Sequence, residues 1–176
     1  MTALGYTWQR PDDERYLTTR AELIAQMQTL LAGTIAEELI LGDVSTGAQS
    51  DLERATEIAR RMTTVYGMSR LGRVAFRTAN DSFLDSGGFA GREYGERTAW
   101  EIDREVKALV DDAAEKARQI LVDRKELLVE VANRLLEKET MTGEELRDIV
   151  DAWTANAEKS AQTEKFDGEK AAGEPD

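Results

Sequence analysis

The stretch "STGAQSDLERAT", Ser45 to Thr56, joins a loop of small residues to an amphipathic helix, with Asp51 at the junction. Three kinds of chemistry fit that acid. In the first turn of a helix a carboxylate is favoured by the helix dipole, by roughly 0.3–1 kcal/mol. The N–H groups of "STGAQS" could instead receive an anion, although the motif lacks a phosphate-loop lysine and Asp51 would repel the charge. The third use is metal ligation. One carboxylate cannot hold zinc, so this reading needs donors from elsewhere.

Glu37 and Glu38 are the next candidates, on a helix that also carries an apolar stripe. Their plain expectation is one solvated acid and one paired with an arginine. "DDER", Asp12 to Arg15, reads as a solvated loop, Arg60 and Arg61 as surface pairs, and Trp8, Tyr66 and Phe76 as core.

What the chain lacks narrows its chemistry further. Its 176 residues include no histidine and no cysteine. The commonest general base, the commonest zinc ligand, thiolate ligands and disulfides are all excluded. The net charge of −12 argues against tracking a nucleic-acid backbone, which needs clustered Lys and Arg. No apolar run approaches the roughly 20 residues that cross a bilayer, and "MTALGYTWQRPDDERY" lacks the basic region and apolar core expected of a signal peptide.

The elements that must position these acids follow from periodicity. "LGYTW" (Leu4 to Trp8) and "GRVAF" (Gly72 to Phe76) read as short strands. From Thr19, the positions Leu23, Met27, Leu30, Leu31, Ile35 and Leu39 mark one buried helix face ending at Gly42. Gly33 predicts a kink or a tight backbone contact. A capping box of Ser50 and Glu53 opens the next helix, which buries Leu52, Ala55, Ala59, Met62 and Tyr66 and stops at Gly67. Residues 78–95 hold four glycines without periodicity and read as a long flexible loop. A long helix, Glu96 to Val122, carries a narrow seam of Ile102, Val106, Leu109, Ala113, Ala117 and Ile120. A second arm, Lys125 to Lys138, turns Leu128, Val131, Leu135 and Leu136 inward, as in an antiparallel helical hairpin. Thr142 and Glu145 cap a last helix through Trp153, and the acidic tail 154–176 reads as disordered.

As a string, the chain resembles the proteolytic domain of the FtsH-type membrane-bound AAA+ zinc metalloproteases. "ALGYTWQRPDDERYLTTRAEL", "AGTIAEELILGDVSTGAQSDLERATEIARRMTTVYGMSRLGRVAF", "EIDREVKALVDDAAEKARQIL" and "LLEKETMTGEEL" are similar to successive family blocks, over roughly Ala3 to Ala152. The resemblance implies a mainly α, zincin-like helical peptidase fragment with a C-terminal antiparallel hairpin and one or two short strands. Residues 1–153 would be the truncated peptidase domain, with the zinc-ligand part at 1–77 and the hairpin and last helix at 96–153. In that family His-Glu-x-x-His supplies two zinc ligands and a general base. The third ligand is an aspartate whose motif position falls on Asp51, and Glu37 matches a position close behind the site.

Two departures accompany the match. The chain has "AGTIAEEL" where the family usually carries paired glycines and an arginine, and "GGFAGREYG" is idiosyncratic. The His-Glu-x-x-His helix is expected upstream of the "ALGYT" segment and outside this chain. The resemblance therefore implies part of an ATP-dependent zinc metalloendopeptidase, inactive alone, with ATP used only by a separate AAA+ module. The complete protein would be a hexamer at the cytoplasmic membrane face acting on unfolded or membrane proteins, and this chain alone would be soluble and cytoplasmic. An alternative of another class is a non-catalytic helical module that assembles with full-length family members and modulates them.

Overall fold

The computed structural model describes residues 17–76 and 94–156. The expected strand at Leu4–Trp8, the loop at 78–93, "DDER", Trp8 and the tail beyond 156 lie outside them. The chain divides into two compact units, residues 1–119 and 120–176.

In the first unit, α1 (Arg20–Leu41) opens with a capping box. The Thr19 hydroxyl accepts from the Glu22 N–H, and the Glu22 carboxylate accepts from the Thr19 N–H at 2.7 Å. The sequence reading did not name this box, although its Thr-x-x-Glu spacing is present at Thr19 and Glu22. Leu23, Met27, Leu31 and Ile35 form its buried stripe, one residue per turn. Gly42 ends the helix at φ 74, a left-handed angle that glycine adopts without strain. The contact expected at Gly33 is absent. The helix runs through it, and a Cβ there would meet nothing within 4 Å.

A 3-10 turn (Thr46–Ala48) leads into α2 (Gln49–Thr64), which packs on α1. α2 buries Ala55, Ala59 and Met62, but Leu52 and Tyr66 are 44% and 41% exposed, contrary to the sequence reading. Both sit at the ends of the helix, where the buried stripe has already turned away. Tyr66 lies under the Arg61 guanidinium at 5.3 Å instead. After α2 the chain reverses at Gly67, φ 58, where an added Cβ would stand 2.9 Å from the Arg73 Cα. "GRVAF" is not a strand. Residues 69–72 form an isolated bridge, and the Phe76 N–H donates to the Thr64 carbonyl at 2.7 Å.

The third helix, α3 (Glu96–Asp123), carries the expected seam of Ile102, Val106, Leu109, Ala113 and Ala117 in buried positions. Ile120 is 48% exposed. Polar contacts tie α3 to α1, to α2 and to the turn that follows α2. Arg60 faces Asp103 at 3.6 Å, Arg118 pairs with Glu38, and the Arg70 N–H donates to Glu105 at 2.8 Å. Exposed pairs of this kind contribute at most about 1 kcal/mol each, so they set register more than stability.

The second unit holds the end of α3, then α4 (Lys125–Lys138) and α5 (143–156). α4 buries Leu127, whereas Leu135 and Leu136 are exposed, which corrects the expected inward face. Its apolar residues 127, 128, 129, 131, 135 and 136 ring much of the helix, so periodicity alone cannot choose among them. Glu139 ends α4 at φ 64, a left-handed angle unusual for a residue with a side chain. The cap of α5 forms as expected: Thr142 and Glu145 exchange hydrogen bonds at 2.9 and 3.2 Å.

The two glycines make opposite forecasts for urea unfolding. Gly33→Ala stabilises by about 0.5–1 kcal/mol, because the helix is continuous and the space is open. Gly67→Ala destabilises by about 2 kcal/mol, from left-handed strain plus the approach to Arg73. Equal effects at the two positions would refute this. The Glu145 carboxyl is pushed down from 4.5 to about 2, first by the Lys138 ammonium that donates to it at 2.8 Å, then by the Thr142 N–H. A depressed folded value means the stabilisation is complete above about pH 4.5 and fades as pH falls toward 2. An NMR titration places the Glu145 midpoint near 2, rising in Lys138→Met; an unmoved midpoint would refute the assignment.

Candidate functional site

The turn between α1 and α2 is built from backbone groups that have no helical partner. Its central contact is a double one. The Ser45 N–H donates to Glu37 Oε2 at 2.9 Å, and the Ser45 hydroxyl donates to Oε1 at 3.2 Å. Ser45 Oγ in turn accepts from the Gly47 N–H at 3.3 Å, capping the 3-10 turn. Gly47 suits that approach, since a Cβ would already lie 3.3 Å from the Ser45 Oγ. The Gln49 N–H donates to the Thr46 carbonyl, and α2 continues from there.

This turn replaces the capping box expected at Ser50 and Glu53. α2 starts at Gln49 without a side-chain cap, so Ser50 already lies inside the helix. Glu53 accepts from the Gln49 side chain at 3.0 Å. The helical backbone begins earlier than the Ser-x-x-Glu pattern suggests because Ser45 has already turned the chain.

Asp51 falls in the first turn of α2 and is half-buried. Among the described residues no hydrogen bond or ion pair engages its carboxylate. Its position suits the helix dipole, and its oxygens stay available. The anion reading loses part of its donor set, because the N–H groups of Ser45, Gly47 and Gln49 are already taken. Of the adjacent acids, Glu38 pairs with Arg118, as expected for one of the two, but Glu37 is engaged by Ser45 rather than solvated.

A zinc centre needs three protein ligands. The chain has no histidine or cysteine, and among the described residues no group of three acids could hold a metal. Two grooves of about 640 and 400 Å³ lie in the unit 120–176. The larger is lined by Val122, Asp123, Lys125, Glu126, Val129 and Trp153, and neither includes Asp51 or Glu37. No helix among the described residues is long and apolar enough to cross a membrane.

The Glu37–Ser45 contact was not legible in sequence, because the partners are eight residues apart across a chain reversal with no periodic signal. Comparison with known proteins places these observations. Residues 1–149 match Peptidase family M41. The chain is 54% identical over 155 residues to the ATP-dependent zinc metalloprotease FtsH of Pirellula staleyi, covering 86% of this chain and 22% of that protein. It is 51% identical over 152 residues to the FtsH of Syntrophobacter fumaroxidans, covering 85% and 24%. With FtsH 3 of Petrotoga mobilis the identity is 43% over 150 residues, covering 84% and 23%. The chain therefore spans about a quarter of the length of the curated relatives it matches. With a mainly helical fold, the "STGAQSD" turn and a match that runs from residue 1 to residue 149, the chain belongs to peptidase family M41, as a fragment of an FtsH-type zinc metalloprotease peptidase domain.

Proposed function

We propose that this chain is the C-terminal portion of the peptidase domain of an ATP-dependent zinc metalloendopeptidase, and that Asp51 is its one contribution to the zinc site. The supporting observation is the unengaged Asp51 carboxylate, held at the start of α2 in a chain of this family. The remaining ligands and the general base would come from a His-Glu-x-x-His segment, which a sequence without histidine cannot provide. ATP hydrolysis would belong to other parts of the longer protein. That protein would be a hexamer on the cytoplasmic side of the membrane, degrading unfolded and membrane proteins.

Within the chain itself the residues do structural work. Glu37 and Ser45 shape the turn, α2 carries Asp51, and α3 braces both through Arg60 and Arg118. A second reading is a non-catalytic helical module that joins full-length relatives. Leu136, 80% exposed on α4, with Leu135 beside it at 43%, favours that reading. Co-purification with a full-length relative supports it, and a solitary monomer beside that relative counts against it.

The purified 176-residue chain is expected to cleave no casein with zinc and ATP present, because one carboxylate neither holds the metal nor activates water. Robust zinc-dependent cleavage, abolished by a chelator, would overturn the proposal.

A further inference from the structure

We infer that Glu37 is a positioning residue for Asp51, acting through Ser45 rather than as a ligand. The inference rests on the reading of Asp51 as a metal ligand and gives that reading a mechanical basis. Both oxygens of Glu37 are occupied, one by the Ser45 N–H at 2.9 Å and one by its hydroxyl at 3.2 Å. A carboxylate so engaged is oriented by the turn it holds, toward Ser45. Asp51 has no such engagement among the described residues. The two acids therefore have separate tasks.

The anchor end of this clamp is fixed. Glu37 lies just past Ile35, the last buried position of the α1 stripe, and its neighbour Glu38 is paired with Arg118 of α3. Gly42 then closes α1, its N–H donating to the Glu38 carbonyl at 3.0 Å. Between Gly42 and Ser45 the restraints are local. The Val44 N–H donates to the adjacent Asp43 side chain at 2.8 Å, and the Val44 side chain is exposed.

Without Glu37, the hydrogen bonds of residues 43–45 among the described residues would join them only to one another or to Gly47. With it, the path runs unbroken. Glu37 holds Ser45, Ser45 caps Gly47, Thr46 accepts from Gln49, and Asp51 follows two residues into α2. The packed part of α2 begins only at Ala55, so the exposed first turn that carries Asp51 depends on the Ser45 turn that leads into it. Hydrogen bonds to a charged acceptor are stronger than neutral ones, which suits a carboxylate to an exposed turn.

The test is amide hydrogen exchange by NMR on the whole 176-residue chain without metal. Glu37→Ala is expected to speed exchange at Ser45 and Gly47 about five- to tenfold and to shift the Asp51 amide and carboxyl signals. The amides of Met27 and Met62, at core positions, should stay within about twofold. Glu37→Gln should recover most of the protection, since its side-chain oxygen still accepts from the Ser45 N–H. Ser45→Ala provides a second reading: the Gly47 amide loses protection while the Ser45-position amide keeps it. Unchanged exchange in Glu37→Ala, an equal rise at Met27 and Met62, or no recovery in Glu37→Gln would overturn the inference. Because no metal is present, failure of the ligand reading would leave these rates untouched, so the two failures are distinguishable.

Discussion

Two hydrogen bonds from Ser45 to the Glu37 carboxylate tie the end of α1 to the beginning of α2. Their importance comes from where they act. The N–H groups of a chain reversal have no helical partner and must find acceptors in side chains or water. Glu37 supplies one acceptor for Ser45, and Ser45 supplies the next for Gly47. The turn is thus solved by polar contacts, while the helices on either side are solved by apolar ones. The stripe of α1, the small residues of α2 and the seam of α3 bury Met27, Met62 and Ile102 almost completely.

That division of labour explains the small residues on α2. Ala55 and Ala59 are fully buried, each presenting a single methyl, on a helix that packs on α1. Thr63, also fully buried, returns its hydroxyl to the Ala59 carbonyl at 2.9 Å, so its polar atom is not left unpaired.

Most of the helical fold was legible because it rests on periodicity. Leu23, Met27, Leu31 and Ile35, and Ile102 through Ala117, recur at helical spacing and are buried as their spacing implies. The misreadings have definite physical origins. Leu52, Tyr66 and Ile120 continue a periodic pattern past the point where the packed face ends. Leu135 and Leu136 belong to a helix with apolar residues on several sides, of which the structure buries Leu127. The Ser50–Glu53 pattern was overridden by a turn whose cap lies five residues earlier, at Ser45. Gly33 shows that an interior glycine need not signal contact.

The site was legible in a different way. Asp51 at a helix start is compatible with a dipole acid or a metal donor, and spacing could not choose between them. The structure leaves its carboxylate unengaged among the described residues, which is compatible with the donor role proposed for it. The most direct test of the account is a zinc-binding measurement on the purified chain and on Asp51→Asn. Neither protein is expected to hold stoichiometric zinc, and the two should not differ, because a lone carboxylate is an insufficient site. One tightly held zinc per chain, lost in Asp51→Asn, would contradict it.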